Sequence, residues 1–297
     1  MTHILVPVDF SATSAAALRF AAYLAEGMDF DLEVIHVFDA LVSATQTLSV
    51  PVREREQHRL EAELRSFAHK HTDPVMAVYQ GRLETLPEVR CRAVEGVPAA
   101  TLLGLSERSD TALVVMGGVG SGQGLRPPGI FGSVARNLAT RGGCPVILIP
   151  SGYGDPVVDR LAVAFEEPAD LRTFKPLLRR LIRGLHPSVR YVHVRDRDAA
   201  LERKRAEDFV LVSFGPDFPS YTYAFDELPP GNVVDSLVSY TGERQIDLLV
   251  VGRKRRPFFN RLFHTDHLSP VVRKSTLPLL VIPFTTDEAD DTDHSER

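Results

Sequence analysis

The sequence predicts an α/β protein made of two tandem open parallel sheets with flanking helices. Three observations carry that expectation. Short apolar runs rich in β-branched residues alternate with longer stretches of helical periodicity, the pattern of parallel strands joined by right-handed crossovers. The same pattern is written twice along the chain. A length of 297 residues suits two units of about 150 better than one.

Taken in order, "HILVPVDFS" (3–11) opens the first copy as a strand ending on Asp9, and "RLAVAFEEP" (160–168) opens the second, ending on Glu166. A helix over 14–28 follows the first strand, with Ser11 and Ser14 as capping candidates. "EVIHVFD" (33–39) is answered by "RYVHVRD" (190–196), His36-Val37 against His193-Val194. The next helix, "REREQHRLEAELRSFAHK" (53–70), lays a charged face over Leu60, Leu64 and Phe67. "EGVPAATLL" (95–103) opens another. "TALVVMG" (111–117) matches "IDLLVVG" (246–252), and "GGCPVILIP" (142–150) matches "KSTLPLLVIP" (274–283). The boundary falls in "SGYGDPVVD" (151–159), which gives domains 1–152 and 158–284. The closing stretch 285–297, "TTDEADDTDHSER", is acidic, almost without apolar residues, and is expected to be a disordered tail. The copies are unequal: Gly96 stands 60 positions after His36, but the corresponding Gly231 only 38 after His193. The second copy is therefore expected to lack most of one helix.

Bulk properties exclude several classes. With 44% hydrophobic and 25% charged residues the composition is that of an ordinary globular protein. A net charge of −5 argues against general nucleic-acid binding. No apolar run approaches the roughly 18 residues of a membrane helix, and "MTHILVPVDF" has no signal-peptide shape, so a cytoplasmic location is expected. Cys91 and Cys144 form no CxxC and suggest no disulfide framework.

The candidate site is the stretch 116–138, "MGGVGSGQGLRPPGIFGSVARNL". A buried strand running into glycines and then a helix start is where open α/β sheets bind anions. Glycines let backbone N–H groups approach a phosphate closely, and the helix opened by Gly132-Ser133 offers unpaired amides and a positive dipole end. Ser133 can add a hydroxyl hydrogen bond or cap that helix. Pro127 and Pro128 work against this, because they remove two N–H donors where the loop should wrap. Glycine density alone fits a ligand-free surface loop equally well.

Each copy resembles a universal stress protein domain, and the whole chain resembles a tandem member of that family. "ILVPVDFS", "HV", "EGVPAATLL", the glycine loop ending in Gly-Ser, and "CPVILIP" carry the likeness over about 150 residues in the first copy and about 125 in the second. The resemblance implies a five-stranded parallel sheet in each half, of the adenine-nucleotide α-hydrolase-like kind. ATP-binding members share a Gly-x2-Gly-x9-Gly-Ser/Thr loop. Gly117 and Gly120 supply the first pair and Gly132-Ser133 the ending, yet eleven residues separate Gly120 from Gly132. Matching from Gly122 restores nine and leaves Val119 where glycine should stand. An insertion around "RPPG" (126–129) accounts for both. By the same likeness Asp9 lies near the ribose or backbone of the nucleotide, Pro7 and Val37 flank the adenine, and Met116 and Val134 complete the wall. The implied ligand is ATP or a related adenine nucleotide, with or without Mg2+.

The second loop, "GRKRRPFFNRLFHTDHLSP" (252–270), keeps only Gly252 and puts Thr265-Asp266 where Gly-Ser would be; Glu166 and Ala164 replace Asp9 and Pro7. No ATP is expected there. Its basic run with Phe258 and Phe259 (253–261) suits either an acidic partner or a solvated face. His264, Asp266 and His267 have a metal-compatible spacing that solvated residues also show. His36 and His193 are expected to make structural hydrogen bonds, and His69 and His71 to end their helix. Other chemistry is missing. No lysine stands between Lys70 and Lys175, which removes a P-loop; GxGxxG fails at Gln123; no GxSxG occurs. The resemblance therefore implies a non-catalytic, nucleotide-regulated stress protein with an undefined protein partner. Its two last strands would pair within the chain, and a further dimer of chains is allowed. A slow ATPase and a nucleotide-free scaffold are the alternatives.

Overall fold

The structure, a computed structural model, describes residues 2–38, 50–79, 86–118, 132–165, 170–194, 204, 207–210, 212, 218–228, 233–253 and 277–284. The first half runs β1 (His3–Pro7), α1 (Ala12–Met28), β2 (Asp31–Phe38), α2 (Val50–Met76), β3 (Val89–Glu95), α3 (Pro98–Ser106), β4 (Thr111–Gly117), α4 (Ser133–Arg141) and β5 (Val146–Ile149). The second runs β6 (Arg160–Phe165), α5 (Asp170–Leu185), β7 (Ser188–Val194), β8 (Tyr223–Leu228), α6 (Val233–Glu243), β9 (Leu248–Arg253) and β10 (Leu279–Pro283).

Strand order across the sheet is β3-β2-β1-β4-β5-β10-β9-β6-β7-β8. Within each half every pairing is parallel, and the two orders mirror each other. The two last strands pair as expected, and by that pairing the two five-stranded halves are continuous as one sheet of ten strands. The seam is antiparallel, with Leu279, Leu280 and Val281 opposite Leu148, Ile147 and Val146. Both seam strands are apolar and buried, so each would otherwise leave a row of N–H and C=O groups unpaired; joining them satisfies both edges.

Helix α1 begins two residues earlier than the periodicity suggested, because Ser11 is its cap: Ser11 Oγ accepts from Ser14 N at 3.1 Å. The helix ends where Asp29 turns left-handed (φ 57°) and Phe30 N donates to Ala25 O. It is buried on nearly all sides, since it packs on the sheet, on α2 and on α5 of the other half. Its meeting with α5 is backbone to backbone: a Cβ on Gly184 would overlap the Gly27 carbonyl. Helix α2 does not end at His69 and His71. It continues through Pro74 to Met76, and His69 Nδ1 instead faces Asp73 Oδ1 at 3.0 Å.

Candidate functional site

Strand β1 connects to β2 on one side, and the chain returns through β4 on the other, so the carboxyl end of β1 is a topological switch point. A cavity of about 320 Å³ opens there, within the size range of small-molecule sites. Pro7 and Asp9 enter it from the exit of β1, Val37 from β2, Met116 and Gly117 from β4, and Gly132, Ser133 and Val134 from the start of α4. Eight of the ten residues singled out in the sequence thus meet at one cavity; Gly120 and Gly122, with the proline pair, lie outside the described residues.

The exit of β1 is held firmly. Asp9 Oδ1 accepts from Ser11 N at 3.1 Å and from Ser11 Oγ at 2.6 Å, so the carboxylate orients the capping serine rather than capping α1 itself. Between them Phe10 takes a left-handed backbone (φ 62°), which costs a non-glycine residue roughly 1 kcal/mol. Its ring offsets that by packing 4.8 Å from His36 and 5.3 Å from Phe67. His36 Nδ1 lies 2.8 Å from Val8 O, the structural hydrogen bond expected of it.

At β4, Gly118 N donates to Ile149 O at 2.8 Å and Gly132 N to Gly118 O at 2.5 Å, so the end of β4 and the start of α4 are bonded directly to each other. Gly117 sits where no side chain fits: a Cβ would come within 2.7–2.9 Å of the Thr13 backbone and Cβ. Gly132 is different. Its φ of −66° suits any residue, and among the described residues a Cβ there would meet nothing nearer than 3.7 Å. Gly132, not Ser133, is the N-cap of α4; it has no side chain, and among the described residues no side chain caps the first-turn N–H groups of Ser133, Val134 and Ala135 beside the cavity. Neither α1 nor α4 carries an acid in its first turn, and Asp9 is the one carboxylate among the described lining residues. One helix start without a side-chain cap, at α4, beside the capped start of α1 and over an apolar floor of Ile35, Leu102 and Met116, fits a ligand with an apolar body and an anionic arm.

A sequence profile of the universal stress protein family matches residues 1–150 and 228–283. The chain belongs to the universal stress protein family. Among solved structures it is similar to a universal stress protein from Archaeoglobus fulgidus, at 15% identity, covering 96% of this chain and 97% of that one with a TM-score of 0.68. It is also similar to a putative universal stress protein from Pseudomonas aeruginosa, at 11% identity, covering 95% and 93% with a TM-score of 0.58. At these identities the likeness is one of fold. No curated protein sequence matches the chain. The family match takes in the whole cavity and skips 151–227, which contain β6, α5 and β7.

In this universal stress protein the second half differs at the corresponding positions. Gly252 ends the main part of β9 as Gly117 ends β4, but the rings of Phe284 and Phe174 fill the space above it. Helix α5 carries Asp170 in its first turn, where α1 carries no acid. Arg253, the first residue of the basic run, donates to the carbonyls of Gly142 (2.6 Å) and Ala139 (3.5 Å), capping α4 across the seam. The rest of that run, Glu166, Thr265, Asp266 and both histidines of the metal motif lie outside the described residues. Among the described residues no group of three His, Cys, Asp or Glu side chains could hold a metal, and no helix is long and apolar enough to cross a membrane.

Thr13, Ile35, Pro98, Leu102 and Gly118 also line the cavity without having been expected there, as does Ser14, expected only as a capping residue. Ile35 shares the face of Val37 two residues on, so strand alternation would have found it. Thr13 gave no signal, because its place follows from how closely α1 approaches β4.

Proposed function

We propose that residues 1–152 form a domain that binds ATP or a related adenine nucleotide in this cavity, and that 158–284 form a diverged domain that does not. The observation that carries the proposal is the uncapped start of α4 facing Asp9 across an apolar floor at the switch point. The base lies between Pro7, Val37 and Met116; the phosphates take the N–H groups of Ser133, Val134 and Ala135, with Gly117, Gly120, Gly122 and Gly132 shaping the loop. The donor set suits Mg2+ only weakly. Asp9 is already engaged by Ser11, so an ion that came with ATP would be held mainly by the phosphates. The role is regulatory: bound nucleotide shifts the population of states able to meet a cytoplasmic partner. The test is purification of the full chain with detection of carried-through adenine nucleotide, followed by melts with added ATP. A hundredfold excess over Kd should stabilise the fold by about 2.7 kcal/mol. No bound nucleotide and an unmoved Tm at millimolar ATP would leave the scaffold reading.

A further inference from the structure

Helix α5 carries five cations in sixteen residues: Arg172, Lys175, Arg179, Arg180 and Arg183. Its apolar stripe, including Phe174, Leu178 and Ile182, packs into the core and leaves Arg172, Arg180 and Arg183 exposed, with Lys175 half-buried between them. Among the described residues Arg172, Lys175, Arg180 and Arg183 form no ion pair. Arg180 rests on the Phe30 ring at 4.7 Å and donates to Met28 O at 3.3 Å; Arg172 lies 5.7 Å from the Phe209 ring. Arg172 and Arg180 border a groove of about 430 Å³ between α5 and the first half, lined also by Phe30, Pro145 and Pro283.

An anion for this face is encoded next to it. Strand β10 ends on Pro283 in the groove, and the Phe284 ring lies 5.9 Å from Phe174 of α5. Residues 285–297 follow, with six carboxylates against Arg297 alone. That is a formal −5, the whole of the chain's net charge.

We propose that segment 285–297 docks along α5 in this groove, its carboxylates on Arg172, Arg180 and their neighbours, as an electrostatic strap joining the two halves. The dimensions allow it: Arg172 to Arg183 spans about 16 Å of helix, and thirteen extended residues reach about 45 Å. Single exposed ion pairs contribute about 0.2–1 kcal/mol. Several together, on a tether giving millimolar effective concentration, are sufficient. Because the contacts are exposed, salt releases the strap.

The test is paramagnetic broadening from a nitroxide on Thr292→Cys in the full chain. Burial pushes the thiols of Cys91 and Cys144 up to about 11 and about 12, so at neutral pH the new cysteine is labelled selectively. At low salt the amide signals of 172–183 and of Phe30 should lose at least about half their intensity. They should recover in about 0.5 M salt, where screening is within a few ångströms, and in the Arg172→Glu/Arg180→Glu variant. Broadening that ignores both salt and the variant would mean a segment merely tethered nearby. Broadening centred on another surface, or growing with protein concentration, would place it elsewhere or on a second chain. Each of these three results overturns the proposal.

Discussion

Gly117 and Gly252 stand at matching ends of β4 and β9, and both point toward the helix that follows the first strand of their half. In the first half the neighbour is the backbone of α1 at Thr13; in the second it is a pair of phenylalanine rings. The second half keeps this glycine although its loop has lost the rest of the nucleotide pattern. A glycine common to both halves is thus a demand of helix–sheet packing, whatever its place in a loop motif. Gly132 has the reverse profile: nothing in the packing of the described residues requires it, and it sits where a side chain would reach the first-turn N–H groups of α4, the proposed phosphate donors. The halves together separate the glycine that makes the fold from the glycine that makes the site.

The most severe test of the shared architecture is the α1–α5 crossing. Gly27 stands nine residues before His36 and Gly184 nine before His193, so the helices meet at equivalent positions, as in an isologous contact. Gly184→Ala should cost about 3 kcal/mol or more by overpacking backbone against backbone, read as a lowered midpoint in urea. An unchanged midpoint would mean that the crossing is looser than its geometry. Gly117→Ala should cost about 3 kcal/mol for the same reason, whereas Gly252→Ala should cost nearer 1 kcal/mol, because ring ends can swing away and the α1 backbone cannot. Equal penalties would break the distinction between the halves.

The equivalent of Arg183 in α1 is Glu26, and here too the halves diverge: Arg183 is exposed, while Glu26 is buried with neither carboxylate oxygen hydrogen-bonded. Burial pushes its carboxyl up to about 7 from an ordinary value of 4.5. Below pH 4.5 the group is protonated in the folded and unfolded chains alike, and stability is unaffected. Between 4.5 and about 7 only the unfolded chain releases the proton, so stability falls as pH rises; above 7 the loss is complete, at about 3 kcal/mol. Glu26→Gln should remove that slope, visible as melts whose Tm no longer drops between pH 5 and about 7.5. A native protein already flat over this range would show that the carboxyl finds a partner.

Much of this was legible in the amino acids, for physical reasons that also explain the misses. Strands β1, β4 and β5 and their repeats β6, β9 and β10 are buried on both faces over most of their length, so they read as continuous apolar runs, and most of the cavity residues at their ends followed. Strands β2 and β7 are marked by their shared His-Val instead. The edge strands β3 ("VRCRAVE") and β8 ("YAFDEL") carry charges at alternate or neighbouring positions because one side of each is unpaired, and that hid them. Pro74 resembles a helix stop, and α2 does end soon after it, at Met76, because the proline has no N–H to give the carbonyl four residues back; the stop comes two residues after the proline rather than before it. The fusion of the sheets was readable as strand pairing, but not as a continuous sheet, because register across the seam is written in neither half alone. The steric role of Gly117 had no local signal, since the atom it avoids belongs to Thr13.

The smallest effect on stability belongs to the substitution that decides most about the site. Gly132 is the N-cap of α4, and aspartate is among the best residues at that position, worth a few tenths of a kcal/mol over glycine. Gly132→Asp should therefore leave the Tm unchanged or slightly raised. The new carboxylate would accept from the N–H groups of α4 that a phosphate needs, and it would repel the phosphate as a like charge. ATP affinity should fall at least about a hundredfold, measured by calorimetry on the folded variant. A variant both stable and still able to bind ATP would place the phosphates away from α4, even if the base sits between Pro7 and Val37. A variant that unfolds would instead show Gly132 to be a packing glycine like Gly117, and the separation drawn from the two halves would fail.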